Sequence, residues 1–173
     1  MTTPILLFAA GLGTRMGLLT QHTPKPLVQV GGKPLIDHAL GFTNISAVGP
    51  KVVNVHYHAD QMRAHLAARD VLISDETDML RETGGGLRHA LPLLNQSPVI
   101  TMNTDAVWRG PNPIETVLNA WRDDMEALLL LIDTHNVHGH HGQGDFRINA
   151  DGRLHRAPDM IYTGIQVIRT ETV

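Results

Sequence analysis

A short apolar run, Ile5 to Phe8, passes directly into Ala9-Ala10-Gly11-Leu12-Gly13-Thr14-Arg15-Met16. The run reads as a buried strand. The two glycines after it let the backbone turn tightly and come close to a ligand. Amide N–H groups with no bulky side chains over them suit an anion such as a phosphate. Positive charge is at hand in Arg15 and in Lys25, which lies in Thr23-Pro24-Lys25-Pro26-Leu27. Arginine grips phosphate oxygens in bidentate fashion, and lysine acts as a movable point charge. The stretch therefore predicts a nucleoside triphosphate site at the end of the first strand.

Two better-known glycine loops do not match. No Gly-Lys-Ser/Thr follows, so this is not a Walker loop. Gly17 stands four residues after Gly13 rather than three, which breaks the dinucleotide fingerprint. A bare Gly-x-Gly is most often only a turn, and Lys25 alone could be an exposed loop lysine. What carries the reading is the combination of Gly11, Gly13, Arg15 and Lys25 near one strand end.

The rest of the chain punctuates itself into a repeating pattern. Pro34 to Leu40 predicts a helix with Gly41 as its stop. Lys51–Val55 predicts a second strand, Asp60 caps a helix to Ala68, and Val71–Ile73 returns as a short strand. Thr83 and Gly84-Gly85-Gly86 lead into a helix through Leu94. Pro98–Met102 predicts another buried strand, Pro113–Asp124 a helix and Glu126–Asp133 a further strand. This βαβαβαβα order predicts a Rossmann-like, mostly parallel α/β sheet with helices on both faces. After Asp133 the character changes: Asp145–Asn149 and Arg153–Arg156 predict a small antiparallel hairpin, and Ile161–Ile168 one more strand. No repeat or linker interrupts residues 1–173, so a single domain is expected.

Composition narrows the class. Hydrophobic residues make up 42% and charged residues 18% of 173, the balance of a globular chain with a real core. A formal charge of −3 gives no global basic field for nucleic acid or an anionic membrane, so local charge in a cleft must do any anion binding. The absence of cysteine excludes disulfides, thiolate zinc sites and cysteine nucleophiles. The amino terminus carries no signal-peptide pattern, and the apolar run Ala127 to Ile132 is far too short to span a bilayer, so a cytoplasmic protein is expected.

Three further stretches carry chemistry. Asn103-Thr104-Asp105 falls at a predicted strand end, where parallel sheets bind ligands. Asp105 there is either a Mg²⁺ ligand facing phosphates or a cap for the next loop. Glu82-Thr83-Gly84-Gly85-Gly86 places three glycines at a helix entrance, which suits either close backbone access or a loose helix start. His135, His138, His140 and His141 invite a zinc site by composition, but the glycine-rich run around them reads more simply as a polar loop over the cleft.

Taken together, Ala9–Met16, Leu19-Thr20 and Thr23–Leu27 resemble the signature of sugar-1-phosphate nucleotidylyltransferases. The resemblance implies that the loop holds the triphosphate through Ala9, Ala10, Gly11, Gly13 and Thr14. It gives Arg15 and Lys25 the catalytic positions, on the β- and γ-phosphates and on the reacting α-phosphate. Where the family commonly has Arg-Pro before Leu-Thr, this chain has Gly17-Leu18. Asn103-Thr104-Asp105 is similar to the family's Asn-Gly-Asp, whose aspartate binds Mg²⁺, and Thr104 replaces the glycine. Glu82, Gly84 and Gly85 would then lie along the base and ribose, with Asn54 a further nucleotide-binding candidate.

His140-His141-Gly142-Gln143-Gly144-Asp145-Phe146, Glu82–Gly86 and Leu91-Pro92-Leu93-Leu94 resemble one subgroup, the N-acetylmuramate-1-phosphate uridylyltransferases of peptidoglycan recycling. Tyr162-Thr163-Gly164-Ile165 is similar to a family segment near the sugar. On that resemblance Asn103, Asp145 and Gly164 are sugar-side candidates. The family also has a later Trp-x-Asp-x-Gly-Thr segment supplying a second metal-binding aspartate, and this pattern does not occur in the 173 residues. The implied substrates are UTP or another NTP and a sugar-1-phosphate. The alternatives are a hexose- or heptose-1-phosphate guanylyl- or uridylyltransferase and a non-catalytic nucleotide-sugar-binding protein.

Overall fold

The computed structural model describes residues 2–171 and 173. Its elements, in order, are β1 (Thr3–Phe8), β2 (Gln29–Val30), β3 (Lys33–Pro34), α1 (Leu35–Phe42), β4 (Val48–Val55), α2 (Ala59–Leu66), β5 (Leu72–Asp75) and α3 (Glu82–Leu94). There follow β6 (Val99–Asn103), α4 (Pro113–Ala120), β7 (Ala127–Ile132), β8 (Phe146–Ile148), β9 (Leu154–Arg156) and β10 (Ile161–Ile168). Six strands form the main sheet in the order β5-β4-β1-β6-β10-β7. From β5 to β6 the pairing is parallel. β10 runs antiparallel to both β6 and β7, so β7 points the same way as the parallel set. The fold is the expected mostly parallel α/β sheet, and β8–β9 is the expected small hairpin.

Alternation along the buried strands assigns the helices to faces. Ile5, Leu7, Val53, Val55, Ile100 and Met102 point into a core shared with Ile36 of α1, Met62 of α2 and Ile114 of α4. Leu6, Val52 and Val99 point the other way, onto Leu87, Ala90 and Leu94 of α3. Both faces are therefore covered, and only strand ends and loops remain to meet a ligand.

Several boundaries differ from the local reading. Gly41 does not stop α1: the helix continues to Phe42, which packs on the core, and Thr43 Oγ1 donates to the Leu40 carbonyl at 2.8 Å. Asp60 is not the cap of α2; His58, with φ 51°, holds that place, and the helix ends at Leu66. Asp60 instead sits in the first turn and pairs with Arg63. The third strand runs Leu72–Asp75, beyond the expected Ile73. The helix expected to reach Asp124 ends at Ala120; beyond it Arg169 lies over the Trp121 ring and donates to the Met125 carbonyl at 3.0 Å. Gly84, Gly85 and Gly86 lie inside α3 rather than before it.

Candidate functional site

The carboxyl ends of β1, β4, β5 and β6 surround a cleft of ≈ 480 Å³. Its floor is the segment from Phe8 to Met16, and Lys25, Asn54, Glu76, Glu82, Asn103 and Asp105 stand around it. Gly13 has φ 67°, and a Cβ there would fall 2.9 Å from Thr20 Cγ2 and 3.1 Å from Lys25 Cβ. Glycine is thus demanded twice, by the turn and by the close packing beneath it. The buried Thr20 hydroxyl donates to the Gly13 carbonyl at 2.9 Å and holds the loop's far side. Thr104, which stands in place of the family's glycine, is also buried. Its hydroxyl donates to the Phe8 carbonyl at 2.8 Å and ties the ends of β1 and β6 together.

Lys25 and Asp105 come from opposite sides of the cleft and meet, Nζ to Oδ2, at 2.6 Å. Eighty residues separate them in sequence. Both side chains are partly exposed, so the pair is solvent-screened and exchangeable rather than a structural bond. Arg15 is exposed at the cleft wall. Polyanion binding here would give Lys25 phosphate oxygens as new partners and free Asp105 for a cation. A single carboxylate beside bound phosphates fits Mg²⁺, which takes one or two carboxylates plus substrate oxygens.

The remaining candidates divide. Ala9, Ala10, Gly11 and Thr14 line the cleft with Gly13. Asn54 lines it too, and both ends of its amide are held by protein: Oδ1 accepts from Ala9 N–H at 2.7 Å and Nδ2 donates to Glu76 at 2.8 Å. Glu82 lines the cleft with φ 58°, an unusual conformation for a non-glycine residue and one found at ligand-facing turns. Gly84 and Gly85 are exposed one step further along α3, where Thr83 rather than either glycine lines the wall.

On the sugar side, Gly164 has φ 77°, and any Cβ there would collide with the Asn103 side chain. Gly164 is buried beneath Asn103, which lines the cleft, and is not itself part of the lining. Asp145 is placed differently. Its Oδ2 accepts from Tyr162 N–H at 2.9 Å, and its backbone N–H donates to Met160. Among the described residues the cleft lining includes neither Asp145 nor the His135–His141 stretch. Those histidines are exposed, and the described residues contain no metal-binding group of three or more His, Cys, Asp or Glu.

Glu76 is the residue the local reading overlooked. It is a fully buried carboxylate at the cleft wall. The available signal was its position, an acidic residue just past a short strand in a βα unit.

Residues 5–142 match the model of the MobA-like NTP transferase domain. The chain belongs to this family. This transferase is 41% identical to the N-acetylmuramate alpha-1-phosphate uridylyltransferase of Caulobacter vibrioides, over 96% of this chain and 75% of that protein. The protein of the same name from Neisseria meningitidis is 37% identical, over 59% of this chain and 46% of that one. The crystal structure of HddC from Yersinia pseudotuberculosis complexed with GMP-PN has a TM-score of 0.74 at 19% identity, covering 97% of this chain and 77% of that chain. At that identity the likeness concerns the fold alone. In the transferase described here, no helix among the described residues is long and apolar enough to cross a membrane.

Proposed function

We propose that this nucleotidyltransferase moves a uridylyl group from UTP to N-acetylmuramate α-1-phosphate, releasing pyrophosphate and forming the UDP-sugar. The observation that carries the substrate pair is the 41% identity to the Caulobacter vibrioides uridylyltransferase over nearly the whole chain. The sugar phosphate is already an anion at neutral pH and attacks without a general base. One of its oxygens forms a bond to the α-phosphorus as the bond to the β-phosphate oxygen breaks. The barrier lies in bringing two anions together, so positioning and charge neutralisation account for catalysis.

In this scheme the amides of the loop from Ala10 to Thr14 and Arg15 hold the outgoing β- and γ-phosphates, the Ala9 N–H being taken by Asn54. Lys25 leaves Asp105 for the α-phosphate, where charge develops. Asp105 would hold Mg²⁺, which when bound supplies charge neutralisation on the phosphate oxygens. Asn103 faces the sugar side, with buried Gly164 packed beneath it. Pyrophosphate release, measured with UTP and Mg²⁺ against a panel of sugar phosphates, tests the reading. Release with N-acetylmuramate α-1-phosphate well above hexose-1-phosphates is expected. Binding of UTP without release for any sugar would instead make the protein a nucleotide-sugar sensor.

A further inference from the structure

Behind the phosphate loop lies a buried chain of hydrogen bonds whose order is dictated by donor and acceptor chemistry. The Ala9 N–H, first in the loop, donates to Asn54 Oδ1 at 2.7 Å. Asn54 Nδ2 donates to Glu76 Oε1 at 2.8 Å. The other carboxylate oxygen, Oε2, accepts from Arg81 N–H at 3.3 Å, at the entrance of α3. Asn54 could present its amide either way round, and only the carboxylate compels its NH₂ to face Glu76 and its oxygen to face Ala9. Gly86 completes the arrangement: a Cβ there would stand 2.9 Å from Glu76 Oε1 and 3.0 Å from Asn54 Nδ2. A buried carboxylate is costly unless its lone pairs are used. Here they serve to orient an amide.

We propose that Glu76 and Asn54 are positioning residues for phosphate binding. Glu76 orients Asn54, Asn54 anchors the first amide of the loop, and the loop then presents its remaining N–H groups to the polyphosphate. The proposal rests on the reading of the cleft as a phosphate site and is independent of which sugar or base is used. It makes the third glycine of the run a spacer for this strut.

The test exchanges the two functional groups. Asn54→Asp alone sets two carboxylates against each other. The double variant Asn54→Asp/Glu76→Gln restores the order at unchanged total charge. The new carboxylate at position 54 accepts from Ala9, and the new amide at position 76 donates back to it. Binding of inorganic tripolyphosphate, which has neither base nor sugar, is measured by calorimetry on the full chain, with a thermal melt of each variant. N54D is expected to bind about tenfold more weakly, the value of one properly placed hydrogen bond, and the double variant to recover to within about threefold.

Wild-type-like binding by N54D, or a folded double variant no better than N54D, overturns the proposal. Should N54D not fold, Gly86→Ala decides, because it crowds the pair without removing a polar group. Tripolyphosphate affinity must then fall severalfold, and unchanged affinity refutes the strut. A loss confined to UTP, with tripolyphosphate unaffected, also refutes it and makes Glu76 a base contact. Failure of uridylyl transfer with tripolyphosphate behaviour as expected would overturn only the proposed reaction.

Discussion

Around the ends of β1, β4 and β6, distant parts of the chain hold one another, whereas the segment from Asp133 to Met160 is held largely by itself. Bonds on the phosphate side join residues separated by 45, 80 and 96 positions, through Ala9–Asn54, Lys25–Asp105 and Phe8–Thr104. In the hairpin region the bonds are local: Asn149 Oδ1 accepts from the N–H groups of Asp151 and Arg153, and exposed Arg147 pairs with Asp159. Its links to the main sheet are few, chiefly Asp145 to Tyr162 N–H and the edge-on contact of Phe146 with Tyr162. In the proposed reaction, phosphate geometry, common to every NTP, would be carried by the buried frame. Segments with few buried contacts sit at the low-stability end of a fold and tolerate change, which suits a surface that distinguishes sugars.

The largest expected effect bears on the phosphate side. Lys25→Ala should lower kcat by about 10²- to 10³-fold at saturating NTP, the usual cost of deleting a group aimed at developing charge. Turnover close to wild type would remove Lys25 from the catalytic role.

Gly164→Ala probes the seam between the regions, where φ 77° and the Asn103 contact both demand glycine. It should destabilise the protein by about 2–3 kcal/mol in denaturant unfolding. A neutral result would mean that Asn103 swings freely and that the two regions are not coupled there.

Asp145→Ala removes the acceptor for Tyr162 N–H and should cost about 1 kcal/mol. Its KM for the sugar phosphate should rise while tripolyphosphate affinity stays unchanged. Equal losses on both ligands would erase the contrast between the two regions.

The smallest effect concerns Asp75, beside the strut. Two bonds from Thr77 and one from Arg63 hold its carboxyl well below the usual range, at about 2. A lowered folded-state value gives stability that is present above the unfolded value of about 4 and is lost as pH falls toward about 2. The Tm difference between wild type and Asp75→Asn should therefore be level from pH 7 to about 5, only about 2 °C for so exposed a pair, and vanish in stronger acid. A difference that grows on acidification would contradict this sign.

Much was legible without coordinates wherever the information was local. The strand Ile5–Phe8, the glycine turn and the hairpin around Gly152 each follow from residues adjacent in sequence. Helix ends were less legible: past α4, Trp121 and Met125 are met by Arg169, distant in sequence and absent from any local pattern. Asn54 was legible as a candidate but not in its role, since its partners lie 45 and 22 residues away.

The amino-acid sequence by itself determined that Ile5–Phe8 and its partners become buried strands and that a glycine turn follows the first of them. These are consequences of apolar alternation and of glycine's missing side chain. Tertiary structure alone decided that β10 inserts between β6 and β7, leaving the leucine-rich β7 at the edge. It also decided that a glutamate past β5 orients an asparagine on β4, and that Lys25 meets Asp105. The physical reason is the same in each case. Sheet order and cross-strand hydrogen bonds are settled by the packing of the whole chain, and a local pattern holds no record of which distant partner wins.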